Sequence, residues 1–279
     1  MCELLGMSAR FPTTIHLSME ELGRHGGGSG PHRDGWGIGF VHENDAIVVR
    51  EPLSAYTSDW LAFVQQQNPK SHMVVAHVRR ATVGSRLLRN TQPFARELAG
   101  RMHLFAHNGM VHDIARVSGF ETRRYRPIGD TDSEHAFCAL LERLAPAWDV
   151  GMPKLEHRRA IVAEFAAELR ELGPANFIYS DGDALFAHGH RRMTASGTIE
   201  PPGLHLLCRR CAARVDGVAI DGLSLEPQAE QQVALVASVP LSKEGWEPLA
   251  EGEVVVLREG QVALRTTQSV RRPLRESFA

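Results

Sequence analysis

The sequence predicts an α+β fold of layered, largely antiparallel sheets. Three observations carry this. Apolar runs bounded by Gly, Asp or Asn recur along all 279 residues. The stretches "SDGD" and "REGQ" each join two strand-like pieces with a Gly at the turn, which is hairpin punctuation. Helical periodicity is confined to three segments that do not alternate regularly with strands. A hydrophobic content of 43% is enough to fill a core and argues against disorder.

The elements follow in order. "ELLGM" opens as a strand. "RHGGGSGPHRDG" is a glycine-rich loop, whose part from Gly26 to Gly30 is either a mobile lid or a flexible connection. "GWGIGFV" and "AIVVRE" are strands. "SDWLAFVQQQ" is a helix with Ser58 or Asp59 as its cap. "HMVVAHV" and "MHLFAHNG" return to strand. "DTDSEHAFCALLERLA" starts with acidic and hydroxyl residues and then lines up Ala136, Phe137, Leu140, Leu141 and Leu144 on one side. "LEHRRAIVAEFAAELREL" places Ile161, Phe165 and Leu169 on one face and ends at Gly173-Pro174. "NFIYSDGDALFAHG", "GLHLLC", "QVALVASV" and "GEVVVLREGQVALR" complete the strands. No repeat of roughly 20–50 residues occurs. The end, "TTQSVRRPLRESFA", reads as a polar tail, so one domain over 2–265 with a tail over 266–279 is expected.

A net charge of -2 gives no bulk electrostatic case for nucleic acid or an anionic membrane. No apolar stretch approaches the roughly 18 residues that span a bilayer, and the first residues lack a signal-peptide pattern. Four cysteines are too few for a disulfide framework in a chain of this size. A cytoplasmic, reducing compartment is the expectation.

Four stretches hold chemistry-bearing residues. Cys2 in "MCELLGM" is either a small apolar residue entering a buried strand or, once Met1 is removed, a residue carrying both a thiol and a free α-amine. In "AHVRRATVG" a strand ends in Arg79-Arg80, then Ala81 and Thr82. A guanidinium there is a solvated rim group, or a rigidly held clamp for a carboxylate. In "FAHNGMV" the pair Asn108-Gly109 is ordinarily a turn. The other reading is an oxyanion hole of one side-chain amide and one backbone N–H. In "GDTDSE", Asp130, Thr131 and Ser133 are helix caps, or a carboxylate of that loop receives an ammonium group.

Two other patterns carry less. "CRRC", with Cys208 and Cys211, has the spacing of half a zinc site or of a redox pair. It lacks a second ligand pair and a thioredoxin-like context, so no metal is expected. Strand alternation explains His103 and His107, and Cys138 falls among apolar helix residues as a core position.

Taken in order, the N-terminal Cys, "DGWGIG", "HVRRAT", "HNG" and "DTDSE" resemble the class II glutamine amidotransferases of the N-terminal-nucleophile hydrolase superfamily. "GGGSGPHRDGWGIGF" and "MCELLGM" look closer still to the stand-alone, YafJ-type members. The resemblance covers roughly residues 2 to 265. It implies a four-layer αββα sandwich and a glutaminase domain that needs no cofactor. It implies that Cys2 attacks the side-chain amide of glutamine or a γ-glutamyl compound, with its own α-amine taking the thiol proton directly or through water. A tetrahedral oxyanion, a γ-glutamyl thioester and hydrolysis follow.

By the same resemblance, Asn108 and Gly109 match the oxyanion-hole pair, Arg79 the residue for the substrate α-carboxylate, and Asp132 the residue for its α-ammonium. Thr82 lines the pocket, and Asp34, Gly35 and Trp36 support the site. Fused synthase members commonly read "HTRWAT", whereas Arg80 stands here in place of the tryptophan. The amide-cleaving half of the reaction is therefore the firmer expectation, with a separate ammonia-accepting synthase as the partner of an amidotransfer. The alternative is a non-catalytic amino-acid-binding or regulatory protein that retains the pocket.

Overall fold

The computed structural model describes residues 2–15, 21–28, 30–81, 84–194, 197–211 and 230–267. Seven strands form the first sheet: β1 (Glu3–Thr13), β2 (Trp36–His42), β3 (Asp45–Glu51), β4 (Ser71–Val78), β11 (His205–Cys211), β12 (Gln231–Ala237) and β13 (Glu247–Pro248), in the order β13-β11-β12-β1-β4-β2-β3. Six form the second: β5 (Phe94–Leu98), β6 (Arg101–Gly109), β7 (Ala175–Ser180), β8 (Leu185–Gly189), β14 (Glu253–Arg258) and β15 (Gln261–Thr267), in the order β15-β14-β8-β7-β6-β5. A short ribbon pairs β9 (Arg192–Met193) with β10 (Ile199–Glu200). Every pairing between these strands is antiparallel.

Three apolar layers separate four structural ones. Leu4, Val75, Leu104, Ile178, Val236 and Val255 pack between the two sheets. Their strand neighbours Leu5, Ala76 and Leu235 face outward under helix α1 (Asp59–Gln67), against Leu61 and Val64. Phe105, Phe177, Tyr179 and Val256 face the other way, against α2 (Asp132–Trp148) and α3 (Leu155–Leu169). Successive strand residues thus enter different cores. This explains why the strands read as continuous apolar runs although the sheets are antiparallel: both faces are covered. The arrangement is the expected αββα sandwich.

Ser58 caps α1, accepting from the Leu61 N–H at 3.0 Å. Thr131 caps α2, accepting from the Glu134 N–H at 3.3 Å. Cys138 is the core position expected, and α2 is buried beyond the expected stripe, Ala139 and Trp148 included, because α3 covers the side away from the sheet. The buried face of α3 runs through Arg158, Val162, Phe165, Ala166 and Leu169. Ile161, expected on it, is only partly buried. Arg158 belongs to that face because its guanidinium reaches Asp181 at 2.6 Å and Asp183 at 2.7 Å in the "SDGD" turn between β7 and β8.

Two departures from the sequence reading concern strand ends. Asn108-Gly109 does not turn: the two residues continue β6, paired with Asn176 and Ala175. Strand β15 runs to Thr267, two residues past the expected domain boundary at 265, and the tail beyond it lies outside the described residues. Among the described residues no helix is long and apolar enough to cross a membrane.

Candidate active site

Cys2 lies one residue ahead of β1. Its Sγ accepts from the Arg80 N–H at 3.3 Å and donates to the Arg80 carbonyl oxygen at 3.4 Å. The register brings this about. Glu3 pairs with Val78 across β1 and β4, so the residues just past the two strand ends meet. Burial pushes the Cys2 thiol above its ordinary value of 9.0. The Arg80 N–H and the Arg79 charge pull it down, and the Asp132 carboxylate pushes it up again.

Arg79 is 3% exposed. Its guanidinium donates to the Ser85 carbonyl at 3.0 Å and the Gly84 carbonyl at 3.2 Å. Burial lowers its pKa, while Cys2 and Asp34 act in the opposite sense. Its backbone is gripped from both sides: the N–H donates to the Gly35 carbonyl at 2.7 Å, and the carbonyl accepts from the Asp34 N–H at 3.0 Å. The Asp34 carboxylate accepts from the Ala81 N–H at 2.7 Å and pairs with Arg86 at 2.7 Å. Asp34 and Gly35 therefore hold the segment that carries Arg79 and the Cys2 contacts. Trp36 is a different case. Its indole donates to Glu51 at 3.1 Å and its ring packs in the outer core with Leu5 and Ile38, so it braces the sheet from the far face. Thr82 lies outside the described residues.

The second sheet brings up Asn108 and Gly109 at the end of β6. The Asn108 amide Nδ2 donates to Ser238 Oγ at 3.4 Å, while its Oδ1 is buried without a partner. Its backbone carbonyl accepts from Asn176 Nδ2 at 2.9 Å. Gly109 passes so close to the next segment that an added Cβ would lie 1.8 Å from the Pro174 carbonyl oxygen. No side chain fits there, which is why the pair ends in glycine.

Asp132 opens α2 and faces back toward the same strand end. One carboxylate oxygen accepts from the Val111 N–H at 2.8 Å, the other from the Ser133 N–H at 2.8 Å. Ser133 Oγ in turn meets His107 Nδ1 at 2.9 Å. His107 and His103 lie on the helix side of the second sheet, as alternation required, and burial depresses both rings, His103 to about 3. Cys208 is exposed on β11. Among the described residues no group of three or more His, Cys, Asp and Glu could hold a metal ion.

Sequence reasoning missed four contributors. Ser238 and Asn176 contact Asn108. Glu3, only 6% exposed beside Cys2, bonds at 2.6 Å to His25 in the glycine-rich segment. That segment, Arg24–Gly28, is packed rather than loose. Gly27 holds φ +124°, and the Gly26 carbonyl accepts from Ser54 Oγ at 2.8 Å. A buried acid inside "CELLGM" was the one visible signal among the four. Of the others, Asn176 lies within β7, Ser238 just past β12 and His25 in the glycine-rich segment, and none interrupts a pattern that marks it.

The family model of the class-II glutamine amidotransferases matches residues 1–277. Escherichia coli K12 YafJ, provisionally named a glutamine amidotransferase, is 37% identical over 259 residues, covering 91% of this chain and 96% of its own length. A protein from Haemophilus influenzae, also provisionally named a glutamine amidotransferase, is 32% identical over 94% of this chain and 85% of its own. Among solved structures, a predicted glutamine amidotransferase from Pseudomonas aeruginosa PA01 superposes with a TM-score of 0.67 at 33% identity, covering 94% of this chain and all of that one. The glutamine phosphoribosylpyrophosphate amidotransferase of Bacillus subtilis shares the fold, with a TM-score of 0.55 at 14% identity over 92% of this chain and 47% of its own.

Proposed function

This chain belongs to the class-II glutamine amidotransferases, and on that premise we propose that it cleaves the side-chain amide of glutamine or a γ-glutamyl compound through a Cys2 thioester. The observation that carries the reading is the pairing of a thiol with charge of both signs. Cys2 Sγ sits in the Arg80 backbone clasp and feels both the Arg79 cation and the Asp132 carboxylate. A zwitterionic amino-acid end needs one fixed cation and one fixed anion, and its far amide needs a nucleophile.

The roles follow from chemistry. Removal of Met1 exposes the α-amine of Cys2, whose ordinary pKa of about 7.7–8.0 suits a base near neutral pH. A base is required because burial holds the thiol protonated. Thiolate attack on the amide carbon makes an oxyanion that the Asn108 amide and the Gly109 N–H receive. Its collapse expels ammonia or an amine, which leaves with the proton from the base. Water then hydrolyses the γ-glutamyl thioester. Arg79 takes the substrate α-carboxylate and Asp132 its α-ammonium, with Thr82 lining the pocket. Asp34 and Gly35 keep Arg79 in place.

The test is the intact mass of the purified protein before and after exposure to 6-diazo-5-oxonorleucine, a glutamine-mimicking electrophile. Loss of Met1 and a single adduct on Cys2 support the reading. A processed chain that never labels, and never releases ammonia or amine from γ-glutamyl substrates, overturns it in favour of a binding protein.

A further inference from the structure

We propose that Ser238 is the positioning residue that sets the oxyanion donor against the nucleophile, by linking the sheet that carries one to the sheet that carries the other. The inference rests on the function proposed above. Cys2 leads into β1 of the first sheet, and Asn108 is the last residue but one of β6 in the second. Between the sheets the contacts are largely aliphatic, such as Leu4, Leu104, Ile178 and Val236. Such contacts are non-directional, so they hold the layers together without fixing where a polar group points.

Ser238, immediately after β12 and fully buried, supplies direction. Its N–H donates to the Leu4 carbonyl at 3.0 Å and its Oγ accepts from the Leu4 N–H at 3.0 Å. This two-point clasp ties it to β1 two residues past Cys2. The same Oγ accepts from Asn108 Nδ2 at 3.4 Å, and its carbonyl accepts from Arg192 at 2.6 Å. The terminal torsion of an Asn is broad and two-fold, so the amide needs a partner to choose its face. Asn108 Oδ1 has none. The bond to Ser238 holds the amide with its nitrogen facing the first sheet, which leaves the second amide hydrogen for the oxyanion. A bond of 3.4 Å is long, as catalytic hydrogen bonds often are before substrate tightens them.

The experiment is a cycle of wild type, S238A, N108A and the double variant. Steady-state cleavage of glutamine and of a γ-glutamyl amide is measured, with thermal midpoints alongside. S238A is expected to lower kcat about tenfold, less than the loss of an oxyanion donor itself, with KM within about twofold. In the N108A background the same change is expected to cost nothing further, because Ser238 acts through Asn108. S238T, which keeps the hydroxyl, is expected to recover most of kcat. Should S238A fail to fold, S238C keeps the volume with a weaker acceptor and is expected to fall between wild type and the loss described. Equal losses in both backgrounds, or a rise in KM with kcat unchanged, overturn the positioning while leaving the enzyme reading intact. No turnover by processed wild-type protein on either substrate overturns the enzyme reading, and the positioning with it.

Discussion

Glu3 and His25 share a 2.6 Å hydrogen bond that fastens the glycine-rich segment to the residue next to Cys2. Burial pushes the Glu3 carboxyl up, but the hydrogen bond and charge of His25 outweigh it and hold its pKa below 4.5. The hydrogen bond to Glu3 raises His25 above 6.5 against its own burial. Glu21, 3.4 Å from the other ring nitrogen, adds to this rise, and the charges of His32 and Arg192 add to the lowering at Glu3.

The sign of the pH effect on that segment follows. The His25 contribution is complete below pH 6.5 and is lost as pH rises through its raised value. The Glu3 contribution is complete above pH 4.5 and is lost as pH falls through its lowered value. The protection factors of the amides in Arg24–Gly28, with the intrinsic pH dependence of exchange divided out, are expected to be largest between about pH 4.5 and 6.5, and H25Q is expected to flatten that profile. A profile in the wild type no different from that of H25Q would sink the idea.

Buried histidines act in the opposite direction on global stability. Burial depresses His77, His103 and His188 to about 3 each. Between pH 3 and 6.5 the unfolded chain binds protons that the folded chain refuses, so stability falls as pH falls through this range. Urea midpoints are expected to drop steadily from about pH 6.5 downward, before most carboxylates titrate. H103N and H188N are each expected to shallow the slope even where they lower the plateau.

Asp34 should be read through binding rather than chemistry. It holds the Ala81 N–H and Arg86 and so steadies the segment bearing Arg79. D34N is expected to raise KM for glutamine by about tenfold with a smaller change in kcat, since the positioning of a clamp is lost and not a reacting group. The reverse split, measured by steady-state ammonia release, would place Asp34 in the chemistry instead.

Gly109→Ala pushes a methyl to within 1.8 Å of the Pro174 carbonyl oxygen. The strand end must move, at a cost of about 1–3 kcal/mol or more, and the proposed donor N–H moves with it. Thermal unfolding is expected to drop by several degrees and kcat by at least about a hundredfold. No relief comes from the facing strand, since Ala175 opposite is itself fully buried. Wild-type-like kcat in a folded variant would remove Gly109 from the proposed oxyanion hole.

The stretches that hold Cys2, Arg79 and Asn108-Gly109 stand out in the sequence because polar residues there interrupt or end an apolar run, but their expected roles, and the choice of Asp132, come from the resemblance to the family. The caps Ser58 and Thr131 and the hairpin turns were legible for the same local reason. Trp36 was legible as part of a motif, but its side could not be read: a one-residue parity on β2 turns it to the outer core, away from the thiol. Asn108-Gly109 carries a turn's local preference, and long-range pairing with β7 overrode it.

By itself, the sequence determined the main strands and helices and the ordered motifs of the family. Tertiary structure alone decided which residues surround the candidate site. Ser238 reaches Asn108 across 130 residues of chain and Leu4 across 234. Glu3 meets His25 only because a folded glycine-rich turn crosses the start of β1. Hydrophobic patterning dictates that two sheets stack, since it measures area removed from water. It does not encode the angle at which an amide faces a thiol, which directional bonds between distant strands set.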